Sequence, residues 1–283
     1  MMNNLKVFVI TGIFCLTTCL FSKTYIVDIK VIPTIKVKVF ITNLNSGDTL
    51  IIKPGLYSEP QSWGVPAGAV VIGDGGPENT RIIFTSSKDA VVLNSNTVLK
   101  GLDITNKMGS ENTIRMNQVE NVLVQDCIIH DAGGDGDCIK VSSCKNLRID
   151  HCILYNPGKR GSESLQECID FIDTKWSYVS NCWLFIRAQH SGGDRTCYAK
   201  GGSEDMFFEN NVFGPLTYGL AVGFGCSTWG QGSGYQYMSF RQTVRNNVFV
   251  HCYRAATFFE PKDPYFYNNI VYNVTRGFDN ATA

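Results

Sequence analysis

One four-residue pattern, two asparagines followed by two apolar residues, occurs three times in this chain and severely limits its fold. The copies are NNVF at 210–213, NNVF at 246–249 and NNIV at 268–271, and the spacings between them are 36 and 22 residues. The same local structure must therefore recur while the chain between copies varies in length. That combination is typical of a solenoid, in which every turn repeats one structural unit and extra residues loop out.

Weaker copies become visible when the chain is aligned on the second asparagine. The aligned position falls at residues 127, 152, 182, 211, 247 and 269, and a partial copy precedes them at 96–104. The residue three places earlier is always apolar: Val124, Ile149, Val179, Phe208, Val244 and Phe266. The residue immediately before is always of a type that tolerates a left-handed backbone: Asp126, His151, Asn181, Asn210, Asn246 and Asn268. Each copy predicts a short strand, a sharp bend and another short strand.

A second strand precedes several copies at a fixed distance. Cys138, Cys168 and Cys197 each lie 14 residues before their aligned position and begin the segments CIKVS, CIDFI and CYAKG. Short strands without an amphipathic helix predict a coil of parallel strands, whose equivalent residues stack about 4.8 Å apart. The asparagines would then stack their side-chain amides at the bend and satisfy backbone groups there.

Six of the cysteines form two columns, one at the aligned positions and one 14 residues before them. The columns are Cys127, Cys152 and Cys182, and Cys138, Cys168 and Cys197. We expect them to be small core residues stacked on one another. A disulfide between adjacent turns is the alternative, although an odd number, nine, remains once Cys15 and Cys19 are removed with a leader.

Composition excludes some classes of protein. Apolar residues make up 44% of the 283 residues and charged residues 18%, so we expect a folded core. Lys plus Arg and Asp plus Glu number 25 each, which argues against a nucleic-acid-binding protein. There is no P-loop, dinucleotide fingerprint or HExxH helix, and the cysteines lack the CxxC spacing of a zinc site.

The first residues predict export. Lys6 precedes an apolar run, Val7–Phe21, that has the length of a signal-peptide core, and no other segment is predicted to span a membrane. We assign residues 1–22 to a signal peptide and expect a secreted, periplasmic or outer-surface location. Cys19 stands in a loose lipoprotein box, so a lipid anchor there is the alternative to cleavage near Ser22.

The segment NSGDTLIIKPGLYSE at 45–59, together with the repeat, resembles the right-handed parallel β-helix superfamily of pectate lyases, over roughly residues 45–275. The resemblance implies an all-β, single-stranded right-handed parallel β-helix of about eight to nine rungs at 45–283. Such coils usually begin with a cap, which is often a helix, whereas the residues at 24–42 predict strands. We therefore assign 23–44 to an N-terminal strand or cap segment. No cap is evident behind the last rung, so we expect a fragment or a partner at that end.

Function should lie on the loops of one face. Loops at 130–137, 155–167 and 187–196 lead into the three cysteine-led strands and should form one wall of a groove, which a fourth loop at 223–241 could close. Several carboxylates fall near this edge: Asp135, Asp137, Glu167, Asp170, Asp173 and Asp194. Lys140 and Asp170 share a column, in which Ala199 takes the next slot with Lys200 beside it. The alternative is a salt bridge between Lys140 and Asp170 on a solvated face, which would contribute little.

The segments CYAKGGS and ECIDFID resemble the lysine- and aspartate-bearing rungs of polysaccharide lyase family 9. The resemblance implies β-elimination on a uronic acid, with Lys200 as the base. Lys140, in the column of Asp170, is a second catalytic candidate. The resemblance also implies calcium held by Asp170, with Asp135 and Asp137 as further ligands. The family's paired acidic residues are replaced by Gln166-Glu167. We expect a bulge that turns Lys200 outward; the alternative is a plain surface lysine.

Substrate-binding candidates lie on the loops. Arg187, His190 and Arg195 could bind sugar carboxylates. Trp229, Tyr235 and Tyr237 could stack on sugar rings, or fold back onto the solenoid.

We therefore expect a monomeric polysaccharide lyase acting on an acidic polysaccharide. A uronate C5-epimerase and a non-catalytic surface protein that binds glycan or protein are the alternatives.

Overall fold

The computed structural model describes residues 22–106, 109, 111–160, 164–186, 194–225, 237–259 and 261–281. The chain winds through three parallel sheets, and successive turns of the coil add strands to each of them. Within the described residues, two of the sheets contain nine strands each, which corresponds to about nine turns. The predicted single-stranded parallel β-helix is therefore confirmed.

The strands of each sheet follow one another along the coil. Sheet 1 contains Thr24–Val27, Thr49–Ile52, Val70–Gly73, Val98–Lys100, Leu123–Gln125, Arg148–Asp150, Lys175–Ser180, Ser203–Glu209, Ser239–Phe240, Thr243–Arg245, Pro261–Lys262 and Tyr265–Tyr267. Sheet 2 contains Trp63–Val65, Val91–Leu93, Ile114–Asn117, Ile139–Ser142, Glu167–Ile172, Asp194–Lys200, Leu216–Phe224, Cys252–Phe259 and Arg276–Ala281. Sheet 3 contains Gly55–Glu59, Thr80–Phe84, Asp103–Asn106, Ile128–Ala132, Ile153–Tyr155, Trp183–Phe185, Val212–Phe213, Val248–Val250 and Ile270–Tyr272. A small antiparallel pair, Lys159–Arg160 with Ser164–Leu165, stands apart from these sheets.

The repeated bend lies at the corner between sheet 1 and sheet 3. All six residues predicted to be left-handed there have φ between +51° and +58°: Asp126, His151, Asn181, Asn210, Asn246 and Asn268. These residue types adopt such a backbone at the lowest cost after glycine. Each turn needs only this corner and its flanking strands, so the loops between copies can differ in length. This explains the unequal spacing of the copies.

The residue after each left-handed position points into the coil. Asn211 and Asn247 are both 1% exposed. The Asn211 Nδ2 donates to Asn247 Oδ1 at 3.0 Å, and Asn247 Nδ2 donates to Asn269 Oδ1 at 3.0 Å. Each amide also binds backbone groups of neighbouring turns, as from Asn247 Nδ2 to the Phe208 carbonyl at 2.8 Å. The predicted asparagine ladder is therefore present, and its amides satisfy buried backbone groups.

Cysteine takes the same inward position in earlier turns, at Cys127, Cys152 and Cys182. The eight described cysteines are all free and buried: Cys127, Cys138, Cys144, Cys152, Cys168, Cys182, Cys197 and Cys252. They act as small core residues, as predicted, and none of these eight forms a disulfide.

Apolar columns fill the interior. Val124, Ile149, Val179, Phe208 and Val244 are at most 1% exposed, whereas Phe266, in the last turn of the column, is partly buried. Each fully buried side chain of this size contributes roughly 1.5–3 kcal/mol. The column therefore holds successive turns together along the coil axis.

The N-terminal segment differs from the prediction that 24–42 forms strands throughout. Thr24–Val27 is a strand, but Val37–Ile41 is a helix that buries Val37 and Ile41. The buried Glu59 carboxylate accepts the backbone N–H groups of Val37 at 2.7 Å and Lys38 at 3.2 Å. A carboxylate at a helix N-terminus accepts hydrogen bonds from the free backbone N–H groups and interacts favourably with the positive end of the helix dipole. This contact therefore overrides the strand preference of the β-branched residues.

The predicted leader, including Cys15 and Cys19, lies outside the described residues apart from Ser22. In the part of the chain that the structure describes, no helix is long and apolar enough to cross a bilayer.

Candidate active site

Three neighbouring strands of sheet 2 carry the charged residues noted in the sequence. Ile139–Ser142, Glu167–Ile172 and Asp194–Lys200 lie side by side and parallel. Lys140 is paired with Asp170, as predicted, and Asp170 is paired with Tyr198. All three side chains project to the outside of the coil, because the residues on either side of each are core residues with 0% exposure.

The predicted alignment of Cys197 with Cys168 is wrong by one residue. Cys197 is paired with Ile169, and Lys200 is paired with Ile172, two residues beyond Asp170. A slip of one residue exchanges the two faces of a strand. The true register buries Cys197 and Ala199 and turns Lys200 outward, so the expected bulge at Lys200 is not needed.

Six side chains meet at this place and form what we call the ionic cluster. Its members are Asp137, Lys140, Glu167, Asp170, Arg195 and Lys200. Lys140 Nζ contacts Asp170 Oδ2 directly and lies 3.1 Å from Asp137 Oδ2. Lys200 Nζ lies 3.1 Å from Asp170 Oδ1 and 3.8 Å from Glu167 Oε1. Arg195 Nη1 lies 3.3 Å from Glu167 Oε1. Three acidic groups therefore face three basic groups, two of which contact Asp170.

Hydrogen bonds from adjacent turns hold the carboxylates in position. Asp137 Oδ1 accepts the backbone N–H of Glu167 at 2.8 Å. Asn112 Oδ1 accepts the backbone N–H of Asp137 at 2.9 Å, and Asn112 Nδ2 donates to Asp89 Oδ1 at 2.7 Å. The chain of contacts runs from Asp89 to Glu167 across successive turns and orients the acidic groups before any ligand arrives.

Exposure separates the two signs of charge. The side chains of Asp137, Glu167 and Asp170 are 1%, 4% and 0% exposed. Those of Lys140, Lys200 and Arg195 are 23%, 11% and 28% exposed. The carboxylates therefore form the floor and the basic groups form the opening. The predicted alternative, a solvated salt bridge of Lys140 with Asp170, does not describe this buried arrangement.

Burial and mutual repulsion alter the proton affinities in the cluster. Burial, followed by the charges of Asp170 and Asp137, raises the pKa of Glu167 to about 8. Burial and the Asp170 charge also raise the pKa of Asp137. Burial alone would lower the pKa of Lys140, but the Asp170 and Asp137 charges outweigh it and raise that pKa above its usual value. Lys140 therefore carries a fixed positive charge at neutral pH.

Stability should depend on pH through Glu167. The folded protein keeps this proton up to about pH 8, whereas an ordinary glutamate loses it near 4.5. The stabilising contribution is fully present below pH 4.5 and is lost as the pH rises to about 8. Between pH 5 and 9 the wild type should lose on the order of 2 kcal/mol of unfolding free energy relative to Glu167→Gln, since the cluster relaxes around the new charge. Urea unfolding of both proteins at several pH values measures this difference, and parallel profiles would contradict it.

Tyr198 supports the basic side chains of the cluster. Tyr198 is 4% exposed, and the Arg195 guanidinium carbon and Lys200 Nζ lie 4.6 Å and 5.1 Å from the centroid of its ring. Gly223 is paired with Tyr198 on the next strand, and a Cβ at Gly223 would lie 1.9 Å from the tyrosine ring. Only glycine leaves room for this ring against the sheet.

Gly223→Ala should therefore displace Tyr198 and destabilise the protein by roughly 1–3 kcal/mol, the usual cost of overpacking. Gly64→Ala is the matched control in the same sheet, because a Cβ there meets nothing within 4 Å. Thermal unfolding of the two variants should separate them, and equal midpoints would show that the glycine is not required.

The remaining predicted residues are Asp135 and Tyr237, which the structure describes, and four that it does not. Asp135 is exposed in a turn and is not one of the three carboxylates whose oxygens lie within 4.8 Å of one another. Tyr237 is 37% exposed and lies near Phe240 and Lys262. Four further candidates lie outside the described residues: Arg187, His190, Trp229 and Tyr235.

Two residues of the site were not assigned a role from the sequence. Glu167 was noted only as an acidic residue near the edge, and Tyr198 was placed out of register. Alternation of small apolar with larger polar residues in CYAK, 197–200, was the signal for both Tyr198 and Lys200.

Comparison with known proteins identifies the fold. The family described as "Right handed beta helix region" matches residues 112–283, which is more than half of the chain. Among curated protein sequences, none matches the chain significantly. The structure is similar to alginate lyase from Paenibacillus sp. str. FPU-7, with a TM-score of 0.54 and 14% identity over 87% of this chain and 95% of that one. It is also similar to polygalacturonase from Erwinia carotovora ssp. carotovora, with a TM-score of 0.54 and 10% identity over 87% of this chain and 77% of that one.

Proposed function

This chain belongs to the right-handed β-helix family, and on that premise we propose that it is an exported polysaccharide lyase that cleaves a uronate-containing polysaccharide by β-elimination. The fold hosts several chemistries, so the ionic cluster has to support the proposal. The observation that supports it best is the opening of Lys140, Arg195 and Lys200 over a buried carboxylate floor. Basic groups held at fixed positions in a buried site suit an anionic sugar.

The elimination requires a positive charge beside the sugar carboxylate and a base at the adjacent C5 hydrogen. Lys140 and Arg195 would neutralise the carboxylate, which stabilises the negative charge that develops when the proton leaves. Lys200 Nζ would accept the C5 proton. The electron pair of the C5–H bond forms the C4–C5 double bond, the C4–O bond breaks, and the leaving oxygen takes a proton from water.

The carboxylate floor supports this division of roles. Asp170 contacts both Lys140 and Lys200, and Glu167 contacts both Lys200 and Arg195. When Lys200 is neutral, each of these carboxylates still has a second basic partner. Lys200 can therefore give up its charge without leaving a buried anion unpaired.

The proposal is tested by incubating the purified protein with pectate, alginate and glycosaminoglycans. Ultraviolet absorbance of unsaturated uronate products should rise with at least one of them. Solvent deuterium at C5 without unsaturated product would indicate an epimerase instead. Binding without either reaction would indicate a non-catalytic glycan-binding protein, and both outcomes would contradict a lyase.

A further inference from the structure

We propose that the Lys140 ammonium is a built-in replacement for a metal ion, so that Asp137, Glu167 and Asp170 bind no divalent cation while Lys140 is present and become a divalent-cation site when it is removed. The inference concerns the charge at the centre of the cluster and does not depend on the polysaccharide.

The three carboxylates have the spacing of a metal cage. One oxygen from each lies within 4.8 Å of the others, and all three residues are buried. Oxygen ligands around calcium lie about 2.3–2.6 Å from the ion, so two ligands on opposite sides are about 4.6–5.2 Å apart. The oxygen positions alone would therefore suit a calcium ion.

Basic side chains already lie against these carboxylates. Lys140 Nζ contacts Asp170 Oδ2 and lies 3.1 Å from Asp137 Oδ2, so it joins two of the three carboxylates. Asp170 Oδ1 is fully buried and accepts no hydrogen bond, although Lys200 Nζ lies 3.1 Å from it. A calcium ion among the same oxygens would have to displace the Lys140 ammonium.

Counting charges leads to the same conclusion. Even when all six groups are ionised, Lys140, Lys200 and Arg195 already balance the three carboxylates. A divalent ion added to this set would leave an excess of two positive charges in a buried place, which is strongly unfavourable. Without Lys140 the same ion leaves an excess of one, and the partly exposed path of the lysine side chain leaves room for water to complete the coordination.

The test is thermal unfolding of the wild type, Lys140→Ala and Lys145→Ala, each in a chelator and in calcium chloride. Lys145 is the matched control because it is a surface lysine, 55% exposed, paired with Glu120. Calcium should not change the unfolding temperature of the wild type or of Lys145→Ala relative to the chelator. The midpoint of Lys140→Ala should rise by about 5 °C or more once calcium exceeds its dissociation constant a hundredfold.

Three results would overturn the inference. They are a calcium-induced rise in the wild type, no rise in Lys140→Ala, and an equal rise in Lys145→Ala. If Lys140→Ala folds only with calcium, the inference is supported. If Lys140→Ala folds in neither condition, the test is the effect of calcium on the unfolding temperature of the wild type. A rise would contradict a built-in cation, and no change would support one. None of these readouts uses a substrate, so failure here is distinguishable from failure of the proposed lyase activity.

Discussion

Replacing Lys200 with alanine is expected to lower the turnover of a uronate polysaccharide by about 10²–10⁴-fold, the usual contribution of a positioned base. Lys200 projects outward from its strand, and its Nζ lies 3.1 Å from Asp170 Oδ1 at the opening of the ionic cluster. Lys140, the other lysine of the cluster, is held protonated by Asp170 and Asp137. The measurement is the initial rate of unsaturated product formation.

Two controls separate a catalytic role for Lys200 from a structural one. Lys145→Ala removes a lysine that lies outside the cluster and should retain the wild-type rate. Added primary alkylamine should restore part of the rate to Lys200→Ala, since a small amine can enter the space left by the side chain and accept the proton. A folded Lys200→Ala protein with wild-type turnover would exclude Lys200 as the base.

Replacing Asn247 with alanine should cost roughly 3–5 kcal/mol of unfolding free energy, because several buried polar groups lose their partners at once. Its Oδ1 accepts the backbone N–H of Asn211 at 2.9 Å and the Asn211 Nδ2 at 3.0 Å. Its Nδ2 donates to the Phe208 carbonyl and to Asn269 Oδ1. Alanine replaces none of these contacts, and water does not reach a position that is 1% exposed.

The neighbouring asparagine provides the control. Asn246 is exposed and has φ of +58°, so Asn246→Gly keeps the bend and should change stability by less than about 1 kcal/mol. Urea unfolding of both variants is the measurement. Similar losses in the two would mean that the buried ladder is not the reason for the asparagine pair.

The corner of the coil could be predicted from the sequence because two independent physical requirements coincide there. A left-handed backbone restricts position 246 and its equivalents to a few residue types, and burial without water restricts position 247 to a side chain that can bind backbone groups. Both restrictions act on single residues, so they remain visible however long the loops become. The core column through Val179 and Phe208 is visible for a similar reason.

The register of the site strands is harder to predict, because it depends on contacts between turns. Aligning Cys168 with Cys197 ignored that both neighbours of Tyr198 are small core residues, and the alternation of the strand decides the pairing. Charge pairing carries no such periodicity. The partnership of Lys200 with Asp170 and Glu167 therefore becomes visible only once the strands are placed.

Glu167 and Glu59 show a second limit. Each is a buried glutamate whose role depends on partners distant in the chain: the ionic cluster for Glu167, and the start of the helix Val37–Ile41 for Glu59. Glutamate is usually exposed, so the residue type alone predicts a surface position for both. The helix was missed for this reason, since Val37–Ile41 has the residues of a strand and becomes helical against Glu59.

The most direct test of β-elimination at the ionic cluster is a crystal structure of the Lys200→Ala protein with a uronate oligosaccharide. The proposed mechanism predicts a sugar carboxylate in hydrogen-bond contact with Lys140 or Arg195, and a C5 atom within about 3–3.5 Å of the position that Lys200 Nζ occupies in the wild type. An oligosaccharide bound with its carboxylates away from all three of these positions would contradict it.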